Sequence, residues 1–217
     1  MITRRLILIS GLGSVGLARA ADPFEPSPGG KVLVKRVPVD VVKIMGFTCS
    51  FCLSAEAQNK AIARAAIESG GRFVRAPIPV TAADTGAREK LYYAARDMDP
   101  ALGEAVKQSL YRGLQETEVP LNDLLQLYYW LLQDIPEHES KFNLLFERAQ
   151  GVEAAEALKR AERLVVNSGA QFLPTYVLLT GGKIRAALDT RTSPNPALTS
   201  LRDAVISNVE SLSKNTP

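Results

Sequence analysis

The chain holds only two cysteines, Cys49 and Cys52, with Ser50 and Phe51 between them. The run before them, Val39 to Met45 (VDVVKIM), is β-branched and apolar and predicts a buried strand. The run after them, Ser50 to Ser69, is rich in alanine and charged helix formers. It stops at Gly70-Gly71, which predicts a helix with a glycine end. A strand that passes into a helix through a C-x-x-C pair constrains fold and chemistry together. The first cysteine falls near the helix N-terminus, where unpaired N–H groups and the macrodipole favour an anion. Such a setting lowers the thiol pKa, and the thiolate is the attacking species. The second cysteine lies nearly one turn on, near enough to close a disulfide or to release a partner held as a mixed disulfide. Cys49 is therefore assigned as nucleophile and Cys52 as resolving thiol.

Other uses of the spacing fit less well. A bridge between such close neighbours closes a very short loop and constrains the unfolded chain little. A closed zinc site needs about four ligands, and the only other soft ligand is the lone His138, expected on the surface. Haem attachment needs histidine directly after the second cysteine, and position 53 is leucine. No metal and no organic cofactor is expected.

The first 20 residues read as a secretory signal: Arg4 and Arg5, an apolar run from Leu6 to Leu17, then Ala18-Arg19-Ala20 as a small-x-small cleavage site. An uncleaved anchor is the alternative, weakened by Gly11, Gly13, Ser14 and Gly16. Thr3-Arg4-Arg5-Leu6 also partly matches a twin-arginine export signal. The segment carries three arginines and no acid, so its removal brings the formal charge of +3 to zero. The slightly basic balance belongs to targeting and does not argue for nucleic acid. Export places the cysteines where disulfides persist.

Residues 21–30 are a Pro- and Gly-rich leader, and Lys31 to Val34 suggest an edge strand. Arg72 to Val80 looks extended, with Pro77 and Pro79 pushing its second half to an edge or loop. Four apolar stripes at helical spacing follow, over 87–98, 102–110, 121–132 and 142–149. The third also carries Leu127, Trp130 and Leu131 off its stripe, so it is expected to be the most buried, with Tyr128-Tyr129-Trp130 in its core. A further helix runs from Ala154 to near Gly169. Thr175 to Leu179 and Lys183 to Leu188, joined by Gly181-Gly182, read as a β-hairpin. Asn195-Pro196 caps a last helix to about Leu212.

In its motifs and their order the chain resembles the DsbA-like thiol:disulfide oxidoreductase family. The resemblance rests on VDVVKIMGFTCSFC at 39–52, the helical middle, FLPTYVLLTGGK at 172–183 and the terminal helix, and covers about residues 31–213. It implies an α/β, thioredoxin-like fold with an inserted all-helical domain. The thioredoxin-like domain would be built from two stretches, 31–80 and 151–217, with the helical insertion at 81–150 between them. The resemblance implies that Cys49 is the exposed attacking cysteine and Cys52 its buried partner. It also implies that Pro174 is a cis-proline facing the pair, and that Leu173 contacts substrate backbone. Phe51 and Leu173 are expected to face substrate, whereas Phe47 and Phe172 read more readily as core.

Two departures stand out. Ser50-Phe51 replaces the Pro-His pair common in strongly oxidising members, which implies a less depressed Cys49 pKa and a weaker oxidant. Lys43 sits six residues before Cys49, where relatives place a buried acid. A lysine there either lowers a cysteine pKa or points outward and snorkels to water; both readings stay open, as does a pKa-tuning role for Ser50. The favoured activity is disulfide formation in exported, cysteine-bearing, unfolded or partly folded proteins of the periplasm, with a membrane partner of the DsbB type as reoxidant. A reductase or isomerase with the same chemistry is one alternative. A non-catalytic chaperone or secretion-system component is another.

Overall fold

The computed structural model describes residues 36–81, 84–192 and 197–214. The signal, the leader, the strand expected at 31–34 and the Asn195-Pro196 cap lie outside the described residues. Four strands make one sheet in the order β2-β1-β3-β4: β1 (Asp40–Met45), β2 (Phe73–Pro77), β3 (Thr175–Thr180) and β4 (Lys183–Leu188). β1 and β2 are parallel, as a strand–helix–strand crossover requires. β3 runs antiparallel to β1, pairing Lys43 with Tyr176, and β4 returns along β3. The hairpin turns through Gly181 and Gly182, at φ +56° and +74°. That left-handed pair suits the right-handed twist of the strands and favours glycine at both positions.

Side-chain alternation assigns the two faces of the sheet. Val39, just before β1, Val41 of β1, and Tyr176 and Leu178 of β3 meet two helices, α2 (Glu56–Glu68) and α8 (Leu198–Lys214), through Ile62, Ala66, Leu201, Val205 and Val209. On the other face α7 (Val152–Ser168) lies over the sheet and ends at Gly169, at φ +67°. Between β2 and α7 the chain builds a helical block of α3 (Ala87–Met98), α4 (Pro100–Tyr111), α5 (Leu124–Asp134) and α6 (Phe142–Ala149). Asp99 and Asp123 cap α4 and α5, each through its carboxylate on a first-turn N–H. The architecture is thioredoxin-like with an inserted helical block.

Two expectations are corrected. The helix after the cysteines is two helices: α1 (Ser50–Ser54) and α2, separated by Ala55. There the Gln58 N–H bonds the Ala55 carbonyl at 3.0 Å, a tighter i to i+3 step. Nor is α5 the most buried helix. It buries Leu127 and Leu131 but leaves Leu125 64% and Tyr129 58% exposed. Tyr128 packs edge-on against Phe142 and Phe146, and Trp130 donates to Ser109, so only some of the aromatic cluster enters the insert core. The deeply buried helix is α3, with eight buried residues that include Arg88 and Glu89. An apolar circumference reports what a helix would tolerate, whereas burial depends on how many neighbours surround it.

Candidate active site

Cys49 is the N-cap of α1, and its sulfur accepts the Cys52 N–H at 3.1 Å. The thiol is half-buried and free, and it donates to the Leu173 carbonyl at 3.8 Å. The Leu173–Pro174 peptide bond is cis, and this loop faces the cysteines from the start of β3. Cys52 is fully buried. The two thiols are thus placed differently by one turn of helix, the first at the surface and the second beneath it.

Their titration separates accordingly. The Cys52 thiol hydrogen-bonds the Cys49 sulfur, and the Cys52 and Phe51 N–H groups and the Lys43 charge add to it; against partial burial these bring Cys49 down to about 7. The same bond, now donated by Cys52, and burial push Cys52 far above the thiol range. Cys49 is therefore the group ionised near neutral pH, and Cys52 holds the proton. Ser50, the first residue of α1, is exposed.

Around Cys49 lies a cavity of about 360 Å³ whose walls include Ile78, Pro79, Val80, Val165, Phe172 and Leu173. Phe51 on α1 is 62% exposed and is not among the residues that line this cavity, and Phe172 stacks with the Arg191 guanidinium, 4.0 Å from the ring centroid. Phe172 is thus surface, whereas Phe47 is core, packed edge-on against Tyr92 and Tyr111. A Cβ at Gly46 would lie 2.0 Å from Val80 Cγ2, so any larger residue there would displace the Val80 side chain of this wall.

Lys43 points inward. Its ammonium is fully buried and donates to Glu56 Oε1 at 2.7 Å and to the Cys52 carbonyl at 3.0 Å. Burial lowers its pKa, opposed by Glu56. Glu56, near the start of α2, is a residue that sequence reasoning misses. It also accepts from Lys107 of α4 at 2.6 Å, from Arg75 of β2 at 3.0 Å and from the Asn59 amide at 2.8 Å. Burial would raise its carboxyl, but Lys43, Arg75 and Lys107 outweigh that and hold it at about 2. A signal existed: Glu56 and Asn59 share one face of α2 with the buried Ile62 and Ala66, so two polar residues fall on an otherwise apolar stripe.

The insertion also holds the cysteine loop. Gln115 donates to the carbonyls of Phe47 at 2.6 Å and Cys49 at 3.2 Å. Gln115→Ala is expected to cost about 1–2 kcal/mol of stability, two neutral hydrogen bonds. It should also speed hydrogen exchange at the N–H groups of residues 47–52 more than elsewhere. Uniform acceleration across the sheet would show that Gln115 does not hold this loop.

No protein-family model and no curated protein matches the sequence. Solved structures do. DsbA of Pseudomonas aeruginosa is similar at a TM-score of 0.62 and 16% identity, covering 90% of this chain and 92% of that one. The oxidoreductase NmDsbA1 from N. meningitidis is similar at 0.60 and 15%, covering 88% and 89%. Oxidoreductase DsbA from Xylella fastidiosa is similar at 0.58 and 17%, covering 80% and 87%. The chain has the DsbA-like fold, thioredoxin-like with an inserted helical block.

Proposed function

We propose that the protein belongs to the DsbA-like family and is a periplasmic thiol:disulfide oxidoreductase that forms disulfides in exported proteins. The observation that carries this is the asymmetry of the pair. Cys49 is half-exposed, ionises near neutrality and faces the Leu173-Pro174 loop, whereas Cys52 is sealed beneath it with its proton. In the oxidising direction a substrate thiolate attacks Cys49 of the Cys49–Cys52 disulfide, and Cys52 leaves. A second substrate thiolate then attacks the mixed disulfide at the substrate sulfur and frees Cys49. Leu173 presents backbone to an extended substrate, Pro174 shapes the loop, and Phe51 adds exposed apolar surface. Unfolded or partly folded proteins with cysteines fit such a surface. A membrane partner of the DsbB type would reoxidise the pair.

Export by the N-terminal segment is consistent with this reading, and among the described residues no helix is long and apolar enough to cross a membrane. The residues divide as 31–80 and 151–217 for the thioredoxin-like domain and 81–150 for the insertion. Phe51 brings no cation to Cys49, which supports reading the protein as a weaker oxidant than relatives with Pro-His between the cysteines.

The test compares oxidation of a reduced two-cysteine peptide and reduction of insulin by the parent and Cys49→Ser. The parent is expected to oxidise the peptide faster than it reduces insulin, and Cys49→Ser to do neither. Equal behaviour of both proteins would overturn the enzymatic reading in favour of a binding protein. Insulin reduction exceeding peptide oxidation would reverse the direction.

A further inference from the structure

The buried charges beneath the cysteines have a composition that bears on how Cys52 leaves and returns. In the exchange, a thiolate attacks the Cys49 sulfur and the Cys49–Cys52 bond breaks. The bonding pair stays on the Cys52 sulfur, and a new bond joins Cys49 to the incoming sulfur. The thiolate then takes one proton from solvent, balancing the proton lost by the attacking thiol. Resolution is the reverse: Cys52 loses a proton, attacks Cys49 and expels the partner. In both directions a charged sulfur appears at a fully buried position, where an uncompensated anion is costly.

A buried carboxylic acid would handle this by passing a proton. Glu56 is the only acid that bonds Lys43 among the described residues, and it is unsuited to that task. It accepts from Lys43, Arg75, Lys107 and Asn59, and the Tyr176 hydroxyl donates to Asn59 Oδ1 at 2.9 Å and so fixes that side-chain amide. Held at about 2, it stays a carboxylate throughout the neutral range. The group next to Cys52 is instead Lys43. Of its three N–H groups, one bonds Glu56 and one bonds the Cys52 carbonyl, which fixes the ammonium on the main chain of the cysteine itself. Its charge favours the thiolate of both cysteines.

We infer that the Lys43 ammonium stabilises the Cys52 thiolate as it forms, and that Glu56 is a positioning residue: a permanent counter-anion that keeps Lys43 charged in a buried site. Glu56 is in turn fixed by Lys107, so the helical insertion helps to set the charge under the redox pair. This inference rests on the exchange reading above and names the groups that serve its leaving thiol.

The test uses purified protein and glutathione, so it reads out whether or not any protein substrate is exchanged. Stopped-flow rates are taken across pH for glutathione attack on the disulfide and for release of glutathione by Cys52. Lys43→Met is expected to slow attack per glutathione thiolate about tenfold. It should also move the midpoint of the release profile up by about one pH unit, a tenfold loss at neutral pH. Glu56→Gln is expected to match the parent's release at low pH, where Lys43 stays charged, and to fall increasingly behind it as pH rises, because Lys43 without its counter-anion gives up its proton. Lys43→Met/Glu56→Gln should match Lys43→Met, since Glu56 acts through Lys43. The double variant removes the buried pair together and leaves Lys107 and Arg75 with Glu104, 2.7 and 3.7 Å away, so it keeps the test open if a single variant fails to fold. Profiles of the lysine variants that superpose on the parent would overturn the inference. A parent with no exchange with glutathione would instead overturn the reading it rests on.

Discussion

Cys52→Ala is expected to turn the protein into a covalent trap, lengthening the life of its mixed disulfides by on the order of 10³-fold or more. The expulsion of a partner from Cys49 is fast because Cys52 lies one turn away. Its sulfur attacks at an effective concentration far above any free thiol. With alanine at 52 only external thiols can do this. The trapped species should appear as a thiol-sensitive band on a non-reducing gel after incubation with an unfolded protein that carries a disulfide: the Cys49 thiolate attacks one sulfur of that bond, and the other sulfur leaves as a thiol. The replacement also separates two duties of Cys52. Its thiol provides the leading contribution to the low Cys49 pKa, ahead of the N–H groups of Cys52 and Phe51 and the Lys43 charge. Cys52→Ser keeps a donor and Cys52→Ala does not. Both should trap, but the ultraviolet thiolate titration of Cys49 should stay near about 7 in the serine variant and move up in the alanine variant. Mixed disulfides that dissolve as fast in Cys52→Ala as in the parent would remove Cys52 from the resolving step.

What the sequence yields about this site follows from how far each contact reaches along the chain. The Cys49–Cys52 pair, its strand, the glycine stop at Gly70-Gly71 and the Gly181-Gly182 hairpin are local, and local backbone preference writes itself into consecutive residues. Sequence alone leaves the direction of Lys43 open because one step of register reverses the faces of a strand. The pairing with Tyr176, which places it on the α2 side, lies 133 positions away in sequence. Lys107 meets Glu56 across 51 positions and Gln115 meets Phe47 across 68. Their side chains are ordinary surface types whose burial only the assembled insertion creates. The same reason explains α5. Leu125 and Tyr129 satisfy an apolar pattern, yet no described element packs over them closely enough to bury them. The interrupted stripe at Glu56 and Asn59 is the exception, a long-range feature with a local trace.

Glu89→Gln is expected to make the stability of the protein less sensitive to alkali, by about 3 kcal/mol between pH 4 and pH 9. Glu89 lies in the first turn of α3, fully buried, and neither carboxyl oxygen has a hydrogen-bond partner among the described residues. Its neighbours do little for a charge: Arg88 is committed to an ion pair with Asp84, and Asp84 itself repels. Burial first, then Asp84, push the carboxyl up to about 7, against an ordinary 4.5. The sign follows from which state holds the proton more tightly. Below about 4.5 the group is protonated both folded and unfolded and costs nothing. Between 4.5 and about 7 the unfolded chain ionises while the folded one keeps its proton, so stability falls as pH rises. Above about 7 the whole penalty is present, near 1.4 kcal/mol for each pH unit separating the two values. Glutamine has nearly the same shape and no such titration. Urea unfolding of parent and variant at pH 4 and pH 9 isolates the difference, because every other titrating group is common to both. Curves that stay parallel across the two pH values would mean that Glu89 ionises in the folded state as easily as in water. Whatever unsettles α3 at high pH also acts on the sheet, since Tyr93, four residues further on, donates its hydroxyl to the Pro77 carbonyl at the end of β2. The next residue, Ile78, begins the Ile78-Pro79-Val80 wall of the Cys49 cavity.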